Sequence, residues 1–138
     1  TVFGGRGNDF IAWNDPTGDL VFGDEDNDTI IGGNVAADTI FGGSGDDSIQ
    51  AFATAPGDAT AADEISGDEG NDTLLGGDAA DTVSGGAGDD SIAGNGGDDE
   101  LDGGDGNDNI NTGAGNDLVY AGAGEDTVGG MAGSDTVY

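Results

Sequence analysis

The residues best placed to do chemistry in this sequence are its aspartates. From Gly67 to Tyr138 a nine-residue unit recurs eight times without a residue gained or lost, from GDEGNDTLL at Gly67 to GMAGSDTVY at Gly130. Its sixth position is always Asp and its eighth always Ile, Leu or Val. Asp-x-aliphatic triplets continue upstream, giving fourteen in all: Asp9, Asp19, Asp28, Asp38, Asp47, Asp63, Asp72, Asp81, Asp90, Asp99, Asp108, Asp117, Asp126 and Asp135. Carboxylates at close, even spacing among main-chain carbonyls suit calcium, which takes a flexible shell of six to eight hard oxygens, whereas magnesium demands a stricter octahedron.

The elements that must hold these carboxylates follow from the rest of the unit. A fixed period of this length is the mark of a solenoid. Glycines at positions one, two and four allow positive φ and close approach to a neighbouring backbone, so positions one to six read as a turn. Positions seven to nine, rich in Thr, Ser, Val and Ile, read as a short strand. Alternation then points position eight inward and leaves seven and nine outward.

The consensus GGxGxDxU, with U aliphatic and one further residue, resembles the RTX (repeats-in-toxin) calcium-binding nonapeptide, and the resemblance covers nearly the whole chain. It implies an all-β fold, a right-handed parallel β-roll with two units per coil and calcium between stacked turns. Position-six Asp side chains and main-chain carbonyls of positions one to four would form each shell. Carried onto one gap, Asp90 and Asp108 would hold an ion with carbonyls of Gly85, Ala87, Gly104 and Gly106.

With two units per coil, alternate triplets stack on opposite edges. The odd edge carries Asp9, Asp28, Asp47, Asp72, Asp90, Asp108 and Asp126, all in turns of regular length. Every irregular unit falls on the even edge: Trp13 to Phe22 and Gly32 to Phe41 have ten residues, and Ala51 to Ser66 has sixteen. The turns before Asp38, Asp63 and Asp81 end Ala-Ala-Asp, and Ala resists the positive φ that Gly accepts. Calcium is therefore expected along the odd edge, and on the even edge only from Gly94 onward, between the turns of Asp99, Asp117 and Asp135. Counting gaps between stacked turns gives roughly eight or nine ions.

Composition excludes much else. Thirty acids against Arg6 alone give a net charge of -29, the composition of a disordered chain unless a cation binds, so metal binding and folding are expected to be inseparable. There is no Cys and no His, which removes disulfides, thiolate sites, the usual general base and the usual zinc ligand; the chain does not read as an enzyme. Nucleic acid requires basic phosphate contacts that are lacking, anionic membranes repel such a surface, and no apolar run is long enough to span a bilayer. EF-hand matches at Asp24 and Asp105 fail, because the sixth position is Thr29 or Ile110 rather than Gly and the twelfth Val35 or Asn116 rather than Glu.

The sequence thus reads as a single domain over 1–138, irregular over 1–66 with a bulged turn at about 51–62, and regular over 67–138. It starts in mid-repeat and reads as an excerpt of a longer array, with further repeats expected at both ends. Phe3, Phe22 and Phe41, and further on Tyr120 and Tyr138, fall at position nine of successive even strands and predict an outward aromatic ladder, either a protein-binding face or a self-stacking one. Two roles fit the resemblance: a calcium-folded scaffold of a secreted or cell-surface protein (surface-layer, filament or adhesin-like), or the export and folding module of a type I-secreted protease, lipase, epimerase or haemolysin. Both place the chain outside the cell.

Overall fold

The structure, a computed structural model, describes residues 1–13, 16–33, 36–52, 61–130 and 132–138. Among these residues two parallel sheets face each other. The first holds eight strands: β1 (Val2–Arg6), β3 (Leu20–Glu25), β5 (Thr39–Ser44), β7 (Glu64–Glu69), β9 (Thr82–Ala87), β11 (Glu100–Asp105), β13 (Leu118–Tyr120) and β15 (Thr136–Val137). The second holds seven: β2 (Phe10–Ala12), β4 (Thr29–Ile31), β6 (Ser48–Gln50), β8 (Thr73–Gly77), β10 (Ser91–Gly96), β12 (Asn109–Ala114) and β14 (Thr127–Gly129). Each strand pairs with the one two places along, so the chain alternates between sheets and two units complete a coil. The expected bulged turn falls largely on 53–60, outside the described residues.

Position eight forms the core. Val21, Ile30, Ile40, Ile49, Ile65, Leu74, Val83, Ile92, Leu101, Ile110 and Val119 are fully buried, one aliphatic side chain from each sheet per coil. Every paired register sets like position on like position, as in Ile92 against Leu74 and Ile110. A one-residue slip would turn this column to solvent, which is why the register is fixed.

Strands run longer than positions seven to nine. Those leading into odd turns extend through position three, as β9 does over Thr82–Ala87, except β13, which stops at Tyr120; β10 and β12 on the other sheet extend likewise. The glycines of positions one to three are thus strand residues as well as turn residues, because pairing with the neighbouring coil, not side-chain propensity, decides their conformation. Strands entering the irregular even turns, β2, β4 and β6, stop after three residues.

On the outer face of the eight-stranded sheet Phe3, Phe22 and Phe41 stack with centroids 5.1 Å apart and planes within 9°. Tyr120 and Tyr138 stack at 5.5 Å. The parallel register produces both ladders, and the rings cover one another's faces, which adds to sheet stability. Among the described residues no helix is long and apolar enough to cross a membrane.

Candidate metal centre

The turns that close each coil bring all position-six aspartates into two continuous files. On the odd edge the backbone N–H of each Asp donates to Oδ1 of the Asp one coil on: Asp9 to Asp28, Asp28 to Asp47, Asp47 to Asp72, Asp72 to Asp90 and Asp90 to Asp108 at 2.7–2.9 Å, then Asp108 to Asp126 at 3.0 Å. The even edge repeats this from Asp19 through Asp38, Asp63, Asp81, Asp99 and Asp117 to Asp135. The Ala-Ala-Asp turns therefore keep their carboxylates in file. Along both edges every side chain after the first of its file serves one backbone donor with Oδ1.

The other oxygen is left over. Oδ2 of Asp9, Asp28, Asp38, Asp47, Asp72, Asp81, Asp90, Asp99, Asp108 and Asp117 is buried with no hydrogen-bond partner. Burying a carboxylate without compensation is strongly unfavourable, and the acidities respond. Burial raises Asp47, Asp63 and Asp81 to about 6 and Asp72 and Asp99 to about 7, only partly offset by the backbone donors, and neighbouring aspartates raise them further. Asp28, Asp38, Asp90 and Asp108 are raised for the same first reason.

Main-chain oxygens gather at the same place. A Cβ on Gly85 would collide with Asp90 Oδ2 of its own unit and with the carbonyl of Gly103 on the next coil. Gly86 (φ 108°) and Gly88 (φ 133°) are held at positive φ, and their carbonyls point at Gly104 and Gly106 on the next coil. The gap between the turns of Asp90 and Asp108 is thus faced by Asp90 Oδ2 and the carbonyls of Gly86, Gly88 and Gly103. Of the carbonyls suggested by the resemblance, Gly85 faces the preceding coil, Gly104 and Gly106 face the following one, and those of Ala87 and Gly104 accept N–H groups of Gly70 and Ala123 at 2.8 and 2.7 Å. Positive φ at positions two and four accompanies carbonyls turned toward the next coil. Among the described residues no three acidic side chains converge; the other oxygens crowding the gap are backbone carbonyls.

The paired positive-φ positions distinguish the edges. All seven odd turns have them, from Gly5 and Gly7 to Gly122 and Gly124, including Asp24 with Asp26 and Asp68 with Gly70, where Asp stands in for Gly. Asx residues tolerate this region better than other side chains. On the even edge the pairs are Asn95 with Gly97 and Gly113 with Gly115, and Gly133 holds position four of the last turn. The turn before Asp81 has Gly77 alone, and those before Asp19, Asp38 and Asp63 show none among the described residues.

A family model for the RTX calcium-binding nonapeptide repeat (4 copies) matches residues 1–12, 33–53, 60–92, 75–110 and 102–137. The chain belongs to the RTX calcium-binding repeat family. No curated protein matches it. RTX repeats bind calcium, and the orphaned carboxylate oxygens beside crowded carbonyls are a donor set that fits that ion: hard oxygen only, with charge to neutralise. The RTX roll is a structural repeat fold rather than a catalytic one.

Sequence reading missed a second ladder outside the first. At position five the backbone N–H of Asn71 donates to Asp46 Oδ1, that of Asp89 to Asn71 Oδ1, that of Asn107 to Asp89 Oδ1 and that of Glu125 to Asn107 Oδ1, at 2.7–3.0 Å. Asn116 on Asp98 repeats it on the even edge. The side-chain amides of Asn107 and Asn116 also donate to Asp89 and Asp98, at 3.0 and 3.1 Å. Alternating Asp with Asn keeps like charges from stacking. Asn107→Asp replaces an amide donor by a second carboxylate against Asp89, and should raise the calcium midpoint for folding about two- to fivefold at low salt, read by circular dichroism. An effect that does not diminish in 0.5 M salt would contradict the electrostatic account.

Proposed function

We propose that this chain is a calcium-folded structural module of a secreted or cell-surface protein, its roll assembling where calcium is abundant and staying open where it is scarce. The observation that carries the reading is the double file of stacked carboxylates, in which every member after the first of each file takes a backbone N–H of the neighbouring coil on one oxygen, and ten members have the other oxygen buried without a partner. Such a fold is incomplete until cations enter it. About one or two carboxylates per site imply affinity in the weak range of extracellular modules, which matches calcium outside cells and not in the cytosol.

The distribution of positive φ supports occupancy along the whole odd edge, through Asp9, Asp28, Asp47, Asp72, Asp90, Asp108 and Asp126, and on the even edge around Asp99, Asp117 and Asp135. Peptide planes turned at positions two and four present carbonyls to the gap. The alanine turns lack that pair, so their carboxylates have fewer oxygens to share an ion with.

Native mass spectrometry of the calcium-loaded chain should count roughly eight or nine ions. Asp90→Asn should lose one or two of them, while Asp63→Asn should lose none. A count near twelve, with equal loss at Asp63 and Asp90, would show that the alanine turns bind as the glycine turns do; a count of zero would end the calcium reading.

A further inference from the structure

One asparagine of this sequence, Asn95, is followed by glycine. An asparagine side chain can be attacked by the backbone nitrogen of the next residue, and glycine, having no Cβ, leaves that nitrogen unhindered and the chain free to bend into the reactive shape. Asn95 stands at position two of its unit, exposed on the even edge within β10. It is held at φ 75°, a region that Asn accepts more readily than most side chains.

In the roll that attack is blocked. The Asn95 carbonyl faces Gly113 on the next coil, and β10 is paired on both sides, Asn95 with Gly77 of β8 and with Gly113 of β12, and Gly96 with Ala114. Position-three N–H groups donate to the preceding coil, as those of Ala132 and Ala123 do to Gly113 O and Gly104 O at 3.0 and 2.7 Å, and Gly96 occupies that position. The Asn95 side-chain amide reaches back to Ala93 O at 3.5 Å, away from the nitrogen that would attack it. Ring closure would require the Asn95–Gly96 peptide to leave both neighbouring strands.

We propose that Asn95 is a deamidation site that the open chain exposes and the calcium-closed roll protects, so that a chain left without calcium is irreversibly marked in β10. The inference rests on calcium-coupled folding and names a chemical consequence of its failure. In the open chain the Gly96 nitrogen forms a bond to Asn95 Cγ, its proton passes through solvent to the side-chain amide, and that amide leaves as ammonia. Water then opens the cyclic imide at either carbonyl, leaving aspartate or, predominantly, isoaspartate. The roll treats these products differently. Aspartate at position two is already accommodated at Asp24 and Asp68, at φ 82° and 73°. Isoaspartate adds a methylene to the backbone, so Ile92 cannot stay in register with Leu74 and Ile110 while the Asp99 N–H keeps its 2.9 Å bond to Asp117 Oδ1.

To test this, the chain is aged in mildly alkaline buffer with chelator or with millimolar calcium, and deamidation is followed as the mass gain of amide to acid, placed by peptide mapping. In chelator Asn95 should convert well before Asn71, Asn107 and Asn116, each of which is followed by Asp. In calcium it should convert at least about thirtyfold more slowly, because the ladder around β10 must open first. Gly96→Ala, which sets at position three the residue found there at Ala87, Ala114, Ala123 and Ala132, should close at the wild-type calcium midpoint yet convert far more slowly in chelator. Calcium added to the aged wild-type chain should close its aspartate fraction, as it closes Asn95→Asp, and leave its isoaspartate fraction open. Equal rates in a chain whose circular dichroism shows closure only in calcium, conversion at Asn95 no faster than at Asn71, or an isoaspartate fraction with the wild-type midpoint would each overturn the proposal. A β spectrum in chelator with equally slow rates would instead remove the calcium reading and this gate together, and so is told apart from those three.

Discussion

In chelator at neutral pH the chain should show no β signature and a radius of gyration near the roughly 38 Å of an unfolded chain of this length, against about 14 Å for a compact one. Millimolar calcium should restore the β spectrum in one cooperative step. The core offers one aliphatic side chain per unit, too little to order nine residues against their conformational entropy. Against it stand ten buried carboxylate oxygens with no partner and a net charge of -29. Backbone pairing cannot relieve the carboxylates, because the N–H groups that reach them are already spent on Oδ1. Magnesium at the same concentration should fold the chain far less well, since two coils fix their carbonyls without an octahedral arrangement in view. A β spectrum in chelator at neutral pH and low salt would show that the roll stands without its ions.

Most of this was legible from the period alone. Fourteen triplets and Val2 give the fifteen strands observed, and position eight gives the buried column. Parallel stacking in a solenoid copies like onto like, so any regularity in sequence becomes a ladder in space; the spacing of Phe3, Phe22 and Phe41 was enough to find theirs. What the residue types did not disclose is conformational. Gly85 to Ala87 look like a turn, yet they pair as strand, because glycine leaves the decision to the neighbouring coil. Which carbonyls face which gap depends on the sign of φ at Gly86 and Gly88, a property of peptide planes that no side chain announces. The outer ladder did leave a signal in the alternation Asp46, Asn71, Asp89, Asn107, visible only when position five is read down the stack rather than along the unit.

The second large effect expected is that acid should replace part of what calcium does. The carboxyls of Asp47, Asp63 and Asp81 are raised to about 6 and those of Asp72 and Asp99 to about 7, first by burial and then by neighbouring aspartates, from an ordinary value of 3.8. Because these values lie above those of the unfolded chain, the metal-free roll binds more protons than the open chain between roughly pH 4 and 7. Linkage then requires its stability to rise as pH falls through that window, the contribution being complete below the unfolded value and lost as pH climbs past 6 to 7. A proton on Oδ2 removes the buried charge without supplying any ligand geometry, so every file should benefit, the alanine turns included. In chelator, lowering the pH from 7.5 to 5 should therefore bring back part of the β spectrum and shrink the chain, with the measurement stopped there because the isoelectric point is about 4.1. In calcium the same protons compete with the ion, and the calcium midpoint should rise as pH falls from 7.5 to 5.5. Circular dichroism and small-angle scattering across both titrations check the pair of expectations: a metal-free chain no more ordered at pH 5 than at 7.5 would mean that the stacked carboxylates are not what keeps the roll from closing without calcium.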